Sequence, residues 1–148
     1  MNVENAPFRL DGKRAVITGG GRGIGRATAI AMARCGARVT VVSRTQQQLE
    51  TTVNEINNAG GQGNFVVGDI SSSSQVETLV EKLTEDDGTP DILVNNAGIS
   101  PIVKQADQIE LEDWKQILSV NLDGTFDLIR RLAPRMIERG TGSVITVT

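Results

Sequence analysis

The stretch TGGGRGIG, Thr18–Gly25, follows the apolar run RAVI and precedes an alanine-rich segment with helical spacing. Its glycines have the spacing G-x3-G-x-G, which differs from the dinucleotide-binding fingerprint G-x-G-x-x-G. It is not a Walker motif either, because Arg26 and Ala27 stand where Lys and Ser/Thr are required. Backbone N–H groups in such a loop, together with a helix N-terminus, favour a phosphate group. The stretch predicts a pyrophosphate site, although a turn that only connects strand to helix stays an alternative.

Short β-branched runs alternate with helical patterns along the rest of the chain. Strands are predicted at Arg14–Thr18, Arg38–Ser43, Asn64–Val67, within DILVNNAG and at Ser143–Thr148. Helices between successive strands imply right-handed crossovers and a parallel sheet that is covered on both faces. We therefore expect one doubly wound α/β domain over residues 1–148.

Two local predictions concern the helices. Thr45 and Gln48 form a capping-box pattern at the start of the second helix. A single long helix should carry an apolar stripe from Trp114 to Met136, and Pro134 should bend or interrupt it.

Composition excludes several classes of function. With a net charge of −3 and scattered cations, a nucleic-acid partner is not expected. No apolar run is long enough for a membrane span, and the start MNVENAPFRL lacks the features of a signal peptide. A lone Cys35 also fits a reducing compartment, so we expect a cytoplasmic protein. The chain has no histidine and no tyrosine, which excludes a Ser-His-Asp triad, a histidine metal site and a tyrosine acid within it. We predict no metal site.

Four motifs, in order, resemble those of the short-chain dehydrogenase/reductase family. TGGGRGIG is similar to its cofactor motif T-G-x-x-x-G-x-G, and Asp69 matches an adenine-contacting aspartate. NNAG, Asn95–Gly98, matches the signature after the fourth strand, and Asn121 matches the asparagine of the catalytic tetrad. The resemblance runs from about Phe8 to the last residue. It implies a Rossmann-type sheet of strand order 3-2-1-4-5 and a nicotinamide dinucleotide cofactor.

Charge at the end of the second strand favours one form of that cofactor. NAD sites place a carboxylate at this corner, whereas a 2′-phosphate needs a cation there. This chain has Ser43 and Arg44 at the corner and Arg22 in the glycine loop. We predict NADP(H) rather than NAD(H), with two surface arginines as the alternative.

The predicted site residues combine the loop, the corner and the family motifs. The predicted cofactor-binding residues are Thr18, Gly19, Gly21, Arg22, Gly23, Ile24, Gly25, Ser43, Arg44, Asp69, Ile70, Asn95, Ala97 and Gly98. Asp69 either contacts adenine or caps the next helix. By the resemblance, Asn95 bridges the central strands, although NNAG also fits a simple turn. Asn121 either holds a water in a proton relay, as the catalytic residue, or is a core amide; in mid-helix it should have a buried partner.

The resemblance also implies an activity that this chain does not complete. Serine, tyrosine and lysine of the family's tetrad would follow Thr148. We therefore expect the first part of a longer, NADP(H)-dependent oxidoreductase that transfers hydride between nicotinamide and a carbonyl or alcohol substrate. The final strand should leave apolar surface uncovered. We expect this chain to bind cofactor without catalysis, and the whole protein to be a dimer or tetramer. A non-catalytic dinucleotide-binding sensor or scaffold is the alternative.

Overall fold

The computed structural model of the chain describes residues 8–85, 88–100 and 105–148. Five parallel strands form one sheet in the order β3-β2-β1-β4-β5. The strands are β1 Arg14–Thr18, β2 Arg38–Ser43, β3 Gln62–Val67, β4 Ile92–Asn95 and β5 Ser143–Thr146. The helices are α1 Gly23–Arg34, α2 Gln46–Asn58, α3 Ser73–Glu85, α4 Leu111–Leu118 and α5 Thr125–Arg139, with a π-helical segment at Ser119–Gly124 between the last two. The predicted fold class and strand order are confirmed.

Strand β1 lies at the centre of the sheet and marks its topological switch. It pairs in parallel with β2 on one side, with Ile17 opposite Val41, and with β4 on the other, with Ile17 opposite Val94. The chain moves outward from β1 to β3 and then returns to place β4 on the far side of β1. Loops leaving β1 and β4 therefore diverge to opposite faces, which opens a crevice at the carboxyl edge of the sheet.

Helices cover both faces of the central strands. On one face, α1 and α2 bury a core that contains Ala29, Ala33 and Leu49. The alanines let α1 approach the sheet closely. On the other face, α3 and α5 bury a second core that includes Leu79 and Leu128. Each fully buried leucine contributes about 1.5–3 kcal/mol. The two cores hold the carboxyl edge of the central strands in a fixed position.

The long helix that was predicted up to Met136 is divided in two. The π-helical segment separates α4 from α5, and α5 continues through Pro134 to Arg139, so the interruption lies elsewhere than predicted. A π-helix adds a residue to the turn and rotates the following side chains out of phase. Met136 is buried, while Trp114 and Leu122 of the predicted stripe are 50% and 58% exposed.

Two further observations concern α2 and the helices as a group. Thr45 precedes α2 in an extended conformation but makes no side-chain capping hydrogen bond, so the capping-box prediction was wrong. In the described ranges, no helix combines the length and the apolar character that crossing a membrane requires. The start of the chain, residues 1–7, and Pro101–Lys104 lie outside the described residues.

Strand β5 is exposed although it is fully paired with β4. Its register places Val144 opposite Leu93 and Ile145 opposite Val94. Val144 is 40% exposed and Ile145 is 49% exposed, whereas Leu93 is completely buried. The predicted uncovered apolar surface is therefore present on this strand.

Candidate functional site

A cleft of about 310 Å³ opens at the carboxyl edge of the sheet, beside the crevice that the topology creates. Ten of the predicted cofactor-binding residues line it, namely Thr18, Gly19, Gly21, Arg22, Ser43, Arg44, Asp69, Ile70, Ala97 and Gly98. Thr18 and Ser43 end β1 and β2, and the other residues come from the segments that follow β1, β2, β3 and β4. The structure thus brings together motifs that are up to 80 residues apart in the sequence.

The glycine loop after β1 depends on close approaches that a side chain would block. Gly19 has a positive φ of 66°, and a Cβ there would lie 2.9 Å from the Cα of Ala97. A Cβ on Gly25 would collide with Asn96 Nδ2 and with the carbonyl of Gly19. The loop therefore exposes bare backbone to the cleft, which is what a bound phosphate requires.

The carboxyl end of β4 is fastened to β1 by the Thr18 hydroxyl and the Asn96 side chain. Thr18 Oγ1 accepts hydrogen bonds from the backbone N–H groups of Asn96 and Ala97, each at 3.0 Å. Asn96 Nδ2 in turn donates to the carbonyl of Thr18 at 3.0 Å. These bonds cross from one central strand to the other and hold the two lips of the cleft at a fixed separation.

The strand-bridging role was predicted for Asn95, and the side chain that performs it is Asn96. Asn95 is 2% exposed and lies at the end of β4. Neither its Nδ2 nor its Oδ1 has a hydrogen-bond partner among the described residues. Because side chains alternate along a strand, consecutive asparagines point to opposite faces, and only Asn96 reaches β1. The assignment to Asn95 was wrong for this reason.

The cleft carries charges of both signs at the ends of β2 and β3. Arg44 Nη1 lies 3.9 Å from Asp69 Oδ2, and the Arg44 side chain is 58% exposed. Arg22 is exposed on the glycine loop and also lines the cleft. An anionic group that enters beside Ser43 would therefore meet two guanidinium groups.

Asp69 organises the turn that leads into α3. Its Oδ1 accepts hydrogen bonds from the backbone N–H of Ser71 at 2.9 Å and from the Ser71 hydroxyl at 2.7 Å. At the start of α3, the backbone N–H of Val76 donates to the carbonyl of Ser72 and not to Asp69. Asp69 thus supports the turn before the helix, and Oδ2 remains directed toward Arg44.

Asn121 lies in the π-helical segment and clamps the loop that follows β4. Its Oδ1 accepts from the backbone N–H of Ile99 at 2.8 Å, and its Nδ2 donates to the Ile99 carbonyl at 3.0 Å. The predicted amide partner is therefore a backbone group in a loop. Ile99 is only half-buried, so the expectation of a buried partner was wrong, and the exposure of Asn121 excludes the alternative of a core amide. The π-helical turn directs this side chain at the loop.

Some predicted residues stand outside the lining, and the lining includes residues that the sequence did not indicate. Gly23, Ile24, Gly25, Asn95 and Asn121 do not line the cleft. Val42, Thr45, Gln48, Ile99 and Val120 do. Gly25 acts through packing, as described above, and Ile24 is 66% exposed. Gln48 could have been found from its position one turn into α2, next to the β2 corner.

A second cleft, of about 420 Å³, lies around the amino ends of the strands, near Arg14, Arg38 and Lys82. None of the predicted site residues lines it. Ligands of doubly wound sheets bind at the carboxyl edge, and the glycine geometry described above belongs to that edge. The smaller cleft is therefore the candidate functional site.

The fold, the glycine loop and the four motifs indicate one family of doubly wound proteins, and the family profile for short chain dehydrogenase matches residues 13–148. The chain belongs to this family. Two curated relatives are similar to it: a short chain dehydrogenase of Pseudocercospora fijiensis, 39% identical over 141 residues, and D-threitol dehydrogenase of Mycolicibacterium smegmatis, 34% identical over 140 residues. Each alignment covers 95% of this chain.

Solved structures agree with this assignment. A metagenomic short-chain oxidoreductase in complex with NADP superposes with a TM-score of 0.90 at 33% identity, over 94% of this chain and 63% of that one. A gluconate 5-dehydrogenase from Burkholderia cenocepacia, in complex with NADP and tartrate, gives a TM-score of 0.86 at 38% identity, over 94% of this chain and 54% of that one. The chain covers 46% and 54% of the two curated relatives, which is about half of their length.

Proposed function

We propose that this chain supplies the NADP(H)-binding portion of a short-chain oxidoreductase that acts on a carbonyl or alcohol substrate. The observation that carries the proposal is the pair of guanidinium groups, Arg22 and Arg44, lining one cleft with the bare glycine backbone. The glycine loop would face the pyrophosphate, and Arg44 would face the 2′-phosphate. The NADP in two similar solved structures supports this cofactor.

The cofactor, when bound, supplies or accepts a hydride at its nicotinamide ring. The residues of this chain have other tasks in the proposal. Thr18 and Asn96 keep the lips of the cleft apart, and Asp69 accepts a hydrogen bond from the adenine amino group. Asn121 is proposed as the catalytic asparagine, and its clamp on Ile99 fixes the loop beside the nicotinamide end.

A cofactor-binding assay tests the first part of this proposal. NADPH fluorescence should rise when the chain is added, and Arg44→Asp should weaken NADPH binding by about ten- to a hundredfold, because a charge-assisted contact is replaced by repulsion. NADH binding should change much less. Arg135→Asp, on the exposed part of α5, makes the same charge change and should leave both affinities unaltered. An unchanged preference for NADPH in Arg44→Asp contradicts the assignment of NADP(H).

A second candidate function is favoured by one observation. The chain contains no tyrosine and no histidine, so the groups that most often move protons in such chemistry are absent from it. A sensor or scaffold that binds the dinucleotide without turnover fits this composition. We expect the chain to bind NADPH and to leave it unoxidised in the presence of ketones and aldehydes, which absorbance at the nicotinamide band measures. Turnover by the chain itself would exclude the non-catalytic function.

Location and assembly complete the proposal. We propose a cytoplasmic protein that forms a homo-oligomer, with small molecules rather than nucleic acid or membrane as its other partners. Sedimentation of the protein at several concentrations measures the oligomeric state directly. A single monomeric species throughout would contradict the assembly proposal.

A further inference from the structure

Thr52 is a completely buried polar residue on α2 that contacts the glycine loop. Its hydroxyl lies 3.1 Å from the carbonyl oxygen of Gly20 and also 3.1 Å from the carbonyl oxygen of Gln48. A threonine hydroxyl has one hydrogen to donate, so the two carbonyls share it. The Gly20 contact joins positions 32 residues apart in the sequence.

The adjacent threonine shows which of these bonds is ordinary. Thr51 Oγ1 donates to the carbonyl of Gln47 at 2.9 Å, and Thr51 is exposed. A bond to the carbonyl four residues earlier is common for a threonine within a helix and slightly disfavours the helix. The bond from Thr52 to Gly20 is therefore additional, and helix formation does not account for it.

Helix α2 forms the support behind the glycine loop through two positions one turn apart. A Cβ on Gly21 would lie 2.9 Å from the Cβ of Gln48, and residues four apart, such as Gln48 and Thr52, share a helix face. Gly20 is also packed against Val41 of β2, where a Cβ would overlap the valine side chain. The only groups of Gly20 that can fix its orientation by hydrogen bonding are its own N–H and carbonyl.

Those two groups are held from different sides. The Gly20 N–H points to the carbonyl of Val42 at 3.4 Å, which is a long contact, and its carbonyl accepts from Thr52 at 3.1 Å. Gly21 and Arg22, the next two residues, line the cleft. The Gly20 carbonyl and the Gly21 N–H belong to the same peptide plane, so the hydrogen bond from Thr52 also orients the Gly21 N–H.

We propose that Thr52 is a positioning residue for the dinucleotide, acting through the Gly20 carbonyl on the part of the loop that faces the phosphates. This inference rests on the proposed function, because it assumes that the loop binds the cofactor. Since α2 begins two residues after Arg44, the same helix also connects the corner that faces the 2′-phosphate to the loop. Thr52 lies outside the cleft lining and touches no ligand in this proposal.

Two matched pairs of proteins isolate the hydroxyl. Thr52→Val differs from the wild-type chain in replacing a hydroxyl by a methyl group, and Thr52→Ala differs from Thr52→Ser in lacking a hydroxyl. The NADPH dissociation constant of Thr52→Val should be about three- to tenfold higher than that of wild type. The dissociation constant of Thr52→Ala should exceed that of Thr52→Ser by about the same factor. Thr52→Ser should stay within about twofold of wild type. Thr51→Val, which removes the ordinary helical bond, is the control and should bind as wild type does.

The ligand-free unfolding midpoint of each variant ensures that folded proteins are compared. Equal NADPH affinities within both pairs overturn the proposal, as does a serine variant that binds as poorly as the alanine variant. Loss of the fold in both hydroxyl-free variants also overturns it, because the hydroxyl would then hold the whole domain and not the loop. If the wild-type chain binds neither NADPH nor NADH at millimolar ligand, the proposed function itself fails. If wild type binds NADPH and the Thr52 variants bind it equally well, the role of Thr52 is contradicted and the proposed function is not.

Discussion

Strands β4 and β5 are neighbours in the sheet, have four residues each and pair in parallel along their whole length, yet their environments are opposite. All four residues of β4 are buried, and all four of β5 are exposed. Their side chains are similar, since each strand carries β-branched or aliphatic residues at its centre. Composition therefore does not account for the difference.

Helix coverage accounts for it. Leu93 belongs to the same core as Leu128, Leu132 and Met136 of α5, which lie across β4 on one face. Val94 belongs to the core that α1 and α2 cover on the other face. No side chain of β5 belongs to either core in the described part of the chain. In a parallel sheet, the hydrogen-bond ladder positions a strand, and the covering helices decide how much its side chains contribute to stability.

The largest expected effect comes from truncating Leu93 of β4, which lies opposite Val144 of β5. Leu93→Ala should lower the free energy of unfolding by about 2–5 kcal/mol, because it leaves a cavity in a closed core. Val144→Ala, at the partner position, should lower it by less than about 1 kcal/mol, because the side chain is already 40% exposed. Urea unfolding of both variants measures the difference. Equal losses would show that pairing, and not coverage, determines the contribution of a strand.

The next comparison uses two threonines near the carboxyl ends of strands. Thr18→Val removes the acceptor of two backbone N–H groups and should cost about 2–3 kcal/mol. It should also weaken NADPH binding, since the lips of the cleft are no longer fastened. Thr146→Val on exposed β5 should change stability by about 0.5 kcal/mol or less. Thermal unfolding and NADPH titration of the two variants provide the measurement, and a Thr18→Val protein as stable as wild type would contradict the role of the hydroxyl.

A smaller, pH-dependent effect concerns the helices that cover β4. Asp127 of α5 is buried, which raises its pKa, but hydrogen bonds from Ser73 and Arg131 and the charge of Arg130 outweigh this, so the pKa lies below its usual value. A lowered pKa in the folded state stabilises the protein above the unfolded pKa, about 3.9. The contribution is lost as the pH falls through the folded-state pKa.

Asp127→Asn should therefore reduce the free energy of unfolding by about 1–2 kcal/mol at neutral pH. The difference in unfolding free energy between the variant and wild type should narrow as the pH falls below about 4, because the carboxyl group becomes protonated first in the unfolded chain and then, at lower pH, in the folded one. Asp123→Asn, at an exposed position of the π-helical segment, is the control for charge. Urea unfolding at a series of pH values checks the expectation. A difference in unfolding free energy that grows toward acid pH would contradict a lowered pKa for Asp127 in the folded protein.

The smallest effect on stability is expected at Ile145, which is 49% exposed on β5. Ile145→Thr should change the free energy of unfolding by about 0.5 kcal/mol or less and should reduce self-association, because it removes apolar surface from a strand at the edge of the described sheet. Thr146→Val adds apolar surface to the same strand and should increase self-association. Sedimentation velocity compares the three proteins. Identical sedimentation would show that this surface does not drive association.

The sheet could be predicted from the sequence because strand and helix periods alternate and the glycine loop fixes the first crossover. Strand bounds agreed with the structure to within about two residues, as for β3, which begins at Gln62 instead of Asn64. The division between α4 and α5 could not be predicted in this way. A π-helical turn shifts the helical phase by one residue, and the apolar spacing from Trp114 to Met136 still resembles a single stripe in the sequence.

The candidate site shows a similar limit. Motif spacing placed ten of the proposed residues around one cleft, because the loops of a parallel sheet meet at one edge. It could not distinguish Asn95 from Asn96, since strand alternation decides which amide reaches Thr18 and the last residue of β4 is defined only by pairing. Thr52 was missed as well. Its contact with Gly20 joins α2 to the glycine loop, and Thr52 itself belongs to no motif that the sequence analysis identified.

The pairing of Arg44 with Asp69 has a consequence for how readily the corner can rearrange. An exposed ion pair at 3.9 Å is worth about 1 kcal/mol or less and is screened by salt. Arg44 can therefore move away from Asp69 at a low cost in free energy. Asp69 Oδ2 then becomes available to another hydrogen-bond donor. If the corner holds the 2′-phosphate as proposed, ionic strength and single substitutions of Arg44 or Asp69 should change the preference for NADPH over NADH without altering the sheet.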